Sequence, residues 1–289
     1  VSQKQEKIYF GLDISQKTIE IFALKGEKGV PFGKILNNQK SLNDFFDKVP
    51  FPSKTITVAL ETGTHSAWIS HCLEQRGYEV IVAHARDLAF IYKGDKKSDR
   101  IDAEKLARVA RADKKLLHPV RLMSKTRQEA LLAIKARDLL MKERTCIVNA
   151  IRGFVRSLGI DDAEYSIETI SKMYSVLPKE IRQNLRGLFS VLTAINNNIS
   201  SYDKRLKKIA EEYPETKILQ QVKGVGPIIA LSFALIISDP NRFSSKECAS
   251  YLGLVPKRDQ SGETDKQLGI TKSGNKLLRR LLVQGAQYI

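Results

Sequence analysis

The sequence predicts an α/β N-terminal domain, then a long helical insert, then a mostly α C-terminal domain, within 289 residues. Three observations carry this. Residues 8–83 hold short β-rich runs, three of them ahead of the first helical pattern. Residues 124–158 contain no Pro and a single Gly, and are rich in Leu, Ala, Lys, Arg and Glu. Pro214 breaks the second long pattern, and the Gly224-Val225-Gly226 turn and an apolar helical run follow it. The length allows two or three domains, and we place them at 1–120, 121–213 and 214–289.

Residues 8–24 read as two strands joined by the polar turn Ser15-Gln16-Lys17, and residues 33–37 as a third strand. Residues 41–48 form a short helix with Leu42, Phe45 and Phe46 on one side. Residues 55–61 are β-rich, and 64–76 are helical up to Gly77, placed as a C′ glycine. A fifth strand, 79–83, precedes a short helix at 87–92 and the basic loop 93–97. Ser98 is an N-cap for the helix that follows. Three hairpin-linked strands followed by alternating helices give a mixed sheet covered by helices. That order resembles the ribonuclease H fold.

The 124–158 pattern predicts one long helix ending near Gly159. In a second, Ile181, Leu185, Leu188, Leu192, Ile195, Ile199, Tyr202, Leu206 and Ile209 recur at alternating spacings of four and three. A period of about 3.5 residues fits a coiled-coil seam, with an ordinary bundle helix as the alternative. Pro214 ends it. Helix, Gly224-Val225-Gly226, then the apolar helix 228–237 looks like a helix-hairpin-helix, whose glycine turn can offer backbone N–H groups to a phosphate. A plain structural turn reads the same way. Another helix spans 243–252, a turn-rich segment follows Gly253, and a final helix begins after Asn275. The chain still reads as helix at Ile289, so a further C-terminal piece is expected.

Four acids stand out. Asp13 and Glu61 close apolar strands, and Asp99 and Asp102 lie three apart at a helix start. Carboxylates at strand ends suit a shared hard cation, and residues i and i+3 share a helix face. Two Mg²⁺ ions about 4 Å apart can activate an attacking oxygen and stabilise a leaving one on a phosphodiester. We therefore expect one or two Mg²⁺, with Asp13 bridging. Asp99 and Asp102 would also be at home in a first helical turn for dipole reasons alone.

The formal net charge is +16, which fits an anionic polymer or membrane surface. No apolar stretch approaches the roughly 20 residues of a membrane span, and the polar N-terminus has no signal-peptide core. Cys72, Cys146 and Cys248 make neither a zinc spacing nor a disulfide framework, consistent with a reducing cytoplasm. His65, His71, His84 and His118 show no metal spacing.

The sequence resembles the DEDD-type insertion-sequence transposases, the group that includes the Piv-like DNA invertases. The resemblance rests on Gly11-Leu12-Asp13-Ile14-Ser15, Leu60-Glu61-Thr62-Gly63, Lys97-Ser98-Asp99-Arg100-Ile101-Asp102-Ala103, Gly224-Val225-Gly226-Pro227, Tyr251 to Pro256, Gln260-Ser261-Gly262 and Gly269 to Asn275. It implies a resolvase-like ribonuclease H domain, a coiled-coil insert and a serine-bearing C-terminal domain. It implies DNA strand exchange in which Ser261 attacks the phosphate and holds the strand covalently, with Asp13, Glu61, Asp99 and Asp102 as the metal-binding acids. It also implies an oligomer, dimer or tetramer, with composite sites, and a structured guide RNA that pairs with donor and target DNA.

Read from the residues alone, Gln260-Ser261-Gly262 is a common turn with no His base beside it, and Ser273 is a rival. A metal near the hydroxyl would take the base's role. Gly224, Gly226, Lys257, Arg258, Lys272, Asn275, Lys276 and Arg279 are the candidate nucleic-acid contacts. Charge on the phosphate could be met by Lys257 and Arg258 or by Lys272 and Arg279. Hydrolysis of branched DNA by the acids alone, and a non-enzymatic nucleic-acid scaffold, are the competing readings.

Overall fold

The computed structural model describes residues 6–84, 98–261 and 264–289, and the chain divides into two compact units, Val1–Lys125 and Thr126–Ile289. In the first unit, β1 (Ile8–Ile14), β2 (Thr18–Lys25) and β3 (Lys28–Leu36) form an antiparallel meander. β4 (Ile56–Glu61) lies parallel to β1, and β5 (Glu79–Ala83) parallel to β4, giving the order β3-β2-β1-β4-β5. The expected mixed sheet is present. β3 starts five residues earlier than the sequence reading placed it, at Lys28 instead of Gly33. Gly29, Pro31 and Gly33 hide that strand, and an edge position tolerates all three.

Strand alternation sorts the sheet into two faces. Ile8, Phe10, Leu12, Ile19, Ile21, Val58 and Leu60 pack with Leu42 and Phe46 of α1 (Gln39–Phe46) and with Ile69 and Leu73 of α2 (Ser66–Gln75). The opposite face carries α3 (Asp99–Ala112) against β1, β2 and β4. Gly11 is what lets α3 settle there. A Cβ at Gly11 would overlap the Ala103 carbonyl oxygen and come within 2.8 Å of Ala107 N. Ala103 and Ala107 on the facing helix are likewise small and fully buried. The expected helix at 87–92 and loop at 93–97 lie outside the described residues.

In the second unit, α4 (Lys125–Ser157) and α5 (Lys179–Glu211) are the two expected long helices. Val148, Ile151 and Val155 of α4 share a core with Leu185, Phe189 and Leu192 of α5 and with Ile170, Met173 and Leu177 between them. The heptad residues Leu185, Leu192, Ile195, Ile199 and Leu206 are buried, but so is Phe189, which lies off that repeat. Asp162, buried in the connection, is bridged by Arg152 and Arg156 of α4. α6 (Glu215–Leu219) and α7 (Pro227–Ile237) flank the Gly224-Val225-Gly226 turn. α8 (Ser245–Tyr251) opens with a Ser244/Glu247 capping box.

The C-terminal region contains an antiparallel hairpin, β6 (Pro256–Ser261) and β7 (Thr264–Ile270), in place of the expected turn-rich segment. Its residues are mostly charged or polar, so no apolar alternation announces it, and backbone pairing supplies the structure. α9 (Lys276–Ala286) follows. Among the described residues no helix is long and apolar enough to cross a membrane.

Candidate active site

Asp13 pairs across β1 and β2 with Glu20, and Glu20 pairs across β2 and β3 with Lys34. One step beyond the Leu12–Leu60 pair of the parallel strands, Asp13 and Glu61 leave adjacent strand ends. Directly opposed residues point to the same face. Lys34, Glu20, Asp13 and Glu61 therefore form one row across four strands, on the face that α3 covers. In open α/β sheets, ligand sites form beyond the carboxyl ends of parallel strands, and Asp13 and Glu61 stand at two such ends.

The first turn of α3 completes the constellation. Ser98 is its N-cap, accepting a hydrogen bond from Ile101 N, and it sets Asp99 and Asp102 in the first turn. Asp102 is buried and lies on the stripe with Ala103, Leu106, Ala107 and Ala110 that meets the sheet. Asp99, three residues earlier, is half-exposed, and its Oδ2 receives the Lys34 ammonium at 2.6 Å.

The electrostatics mark the place where negative charge is in excess. Burial, and then the charges of Asp99, Asp102, Glu61 and Glu20, push the Asp13 carboxyl from an ordinary 3.8 up to about 6. A cavity of about 460 Å³ opens beside Asp13 and Glu61, walled by residues 14–16 and 62–66. His65 lines it, and Trp68 Nε1 donates to His65 Nδ1 at 3.3 Å, so a neutral His65 carries its proton on Nε2. Among the described residues, no three His, Cys, Asp or Glu side chains already stand as a closed metal ligand set. The acids instead share one field, and one of them is engaged by an ammonium group. An all-oxygen set with surplus negative charge suits a hard divalent cation, so the residues present fit Mg²⁺ or Mn²⁺.

The C-terminal candidates separate into two kinds. Lys257, Arg258, Lys272 and Lys276 are exposed. Asn275 is the N-cap of α9, its side chain accepting from Leu278 N at 3.0 Å. Arg279 donates to the Leu252 and Ser273 carbonyls at 2.9 and 2.6 Å, tying two turns together. Those turns interlock at Gly253 and Gly274, both at positive φ, where a Cβ would overlap the Ser273 and Tyr251 backbones. Gly224, at φ 81°, packs its backbone against Gly285, whereas Gly226 is open and caps α7 without a side chain. Ser261 ends β6, its backbone paired with Thr264.

Residues 10–160 match the DEDD transposase family of the IS110 type, and residues 216–289 match the transposase family IS116/IS110/IS902. The chain belongs to the IS110/IS116 family of insertion-sequence transposases. It is 31% identical, over 204 residues and 68% of its length, to the transposase for insertion sequence element IS1111A of Coxiella burnetii. It is 27% identical, over 236 residues and 80% of its length, to the transposase for IS1328 of Yersinia enterocolitica. The chain spans 56% of the Coxiella burnetii relative and 70% of the Yersinia enterocolitica one.

The DEDD transposase domain is ribonuclease H-like, and the row described above lies within it. Sequence reasoning missed two members of that row, Glu20 and Lys34. Glu20 was legible in principle: it is a lone acid in the apolar strand Ile19 to Leu24, and a three-residue turn after Ile14 sets it opposite Asp13. Lys34 needed the true start of β3, which the glycines and Pro31 conceal.

Proposed function

We propose that this transposase cuts and rejoins DNA at the acid row, with Asp13, Glu61, Asp99 and Asp102 holding one or two Mg²⁺ ions and Ser261 as nucleophile. The observation that supports this most is the crowding of carboxylates around Asp13, which adds to burial in raising its carboxyl to about 6. Carboxylate repulsion is a cost in an apo protein and an asset once a divalent ion is present. A bound ion would supply Lewis-acid stabilisation of charge on the phosphate oxygens.

In this reading Asp13 and Glu61 would hold the ion from rigid strand ends, and Asp99 and Asp102 would do so from the docked first turn of α3. The Ser261 hydroxyl attacks phosphorus and loses its proton to solvent. The new Oγ–P bond replaces a P–O bond to a deoxyribose oxygen, which takes up a proton and leaves as an alcohol. Attack by a hydroxyl of a second strand then reverses the step, frees the serine and completes strand exchange. Lys257, Arg258, Lys272 and Lys276 are exposed cations suited to phosphate contact. The basic surplus is compatible with a guide RNA beside donor and target DNA. The acids and Ser261 lie in different compact units, which is compatible with an oligomer whose sites draw on two subunits.

The test is incubation of the protein with its own element-end DNA and Mg²⁺, with and without co-purified RNA. A covalent protein–DNA adduct at Ser261 is the expected product. Ser261→Ala abolishes it, and Asp13→Asn abolishes both adduct and cleavage. Cleavage that survives in Ser261→Ala would replace this mechanism with hydrolysis by the acids alone. If neither wild type nor Asp13→Asn cleaves and both bind DNA equally, a DNA-binding scaffold remains.

A further inference from the structure

The row of acids ends in a cation. Lys34 sits on the edge strand β3, directly opposite Glu20 on β2, which in turn faces Asp13 on β1. Its Nζ reaches 2.6 Å from Asp99 Oδ2, across 65 residues of sequence. Both side chains are about half exposed, 52% and 49%.

This placement has a specific consequence. Asp99 is one of the four acids assigned to the metal, and one of its oxygens is engaged by an ammonium group. A carboxylate oxygen cannot serve an ammonium at hydrogen-bond distance and a divalent ion at bonding distance without bringing two cations into strong repulsion. Glu20 sits beside Lys34 in the row, so an ammonium that leaves Asp99 has another carboxylate close by. We infer that Lys34 is a built-in counter-cation of the acid row: it holds Asp99 while the metal is absent, and a divalent ion entering the site displaces it. Lys34 is thus a positioning residue. It keeps the first turn of α3 neutralised against the sheet and sets the threshold metal concentration at which the site forms. An exposed ion pair is weak and salt-screened, which makes it fit to be displaced.

The inference rests on the metal reading of the acids, and one experiment separates the two. Mn²⁺ binding to the full chain is measured by calorimetry and by the electron paramagnetic resonance of free Mn²⁺, with no DNA present. Wild type, Lys34→Met, Lys34→Arg and Asp13→Asn are compared. Lys34→Met is expected to bind Mn²⁺ about 5-fold tighter at about 50 mM salt, with the gain shrinking at high salt as screening weakens the competitor. Lys34→Arg keeps the charge and is expected to stay within about twofold of wild type. If Asp13→Asn weakens binding while Lys34→Met binds no tighter than wild type, the counter-cation role is overturned and the metal reading stands. If Asp13→Asn binds Mn²⁺ as well as wild type, the metal reading is overturned, and this inference with it.

Discussion

Replacing Asp13 by Asn is expected to stabilise the metal-free protein at alkaline pH while destroying its activity. Asp13 is half-buried and its carboxyl is raised from 3.8 to about 6 by burial and by Asp99, Asp102, Glu61 and Glu20. A raised carboxyl holds its proton more tightly in the folded chain than in the unfolded one. Ionised Asp13 therefore penalises the fold at pH above about 6, and the penalty fades as pH falls towards the ordinary value near 4. At about 1.4 kcal/mol per pH unit the full difference is about 3 kcal/mol, and partial exposure to water reduces it to about 1–2 kcal/mol. The amide keeps the shape and removes the charge. Asp13→Asn should then melt about 3–8 °C above wild type at pH 8 in EDTA, and within error of it near pH 4. Urea titration at both pH values gives the free energies directly. Adding Mg²⁺ should reverse the order at pH 8, because ligand binding stabilises only the protein that binds it. A variant less stable than wild type at pH 8, or a difference that ignores pH, would refute the account of a charge-crowded site.

Gly11→Ala places a methyl group against the Ala103 carbonyl and Ala107 N, so α3 must lift from the sheet. A loss of about 3 kcal/mol or more in urea unfolding, together with loss of cleavage, is expected. Gly274→Ala meets the Tyr251 backbone at positive φ and should cost several kcal/mol by the same measurement, whereas Gly226→Ala, with open space around it, should cost under about 1 kcal/mol. Asn275→Ala removes the cap of α9 and should cost about 1 kcal/mol, and Asn275→Asp should restore it. If Asn275→Asp restores stability but weakens DNA binding in a shift assay, that residue also meets phosphate. Unchanged binding leaves it a cap alone.

Much of the fold could be read from contiguous residues. The strand ends at Asp13 and Glu61, the Ser98 cap and the Gly77 stop each depend on a few neighbours, and the structure has them where the pattern put them. The β6–β7 hairpin escaped because its residues carry no apolar alternation. The start of β3 escaped because Gly29 and Pro31 read locally as breakers, although an edge strand accommodates them.

By itself the sequence determined which acids end strands or open a helix, since hydrophobic periodicity and capping are local properties of the chain. It also determined the basic surplus that points to a phosphate polymer. Only the tertiary structure decided that Lys34 joins those acids, and that Asp99 is met by an ammonium from a strand 65 residues away. The seating of α3 on Gly11, and with it the approach of Asp99 to Lys34, is fixed by contacts between distant segments, and a charged side chain feels whatever those contacts bring within a few ångströms.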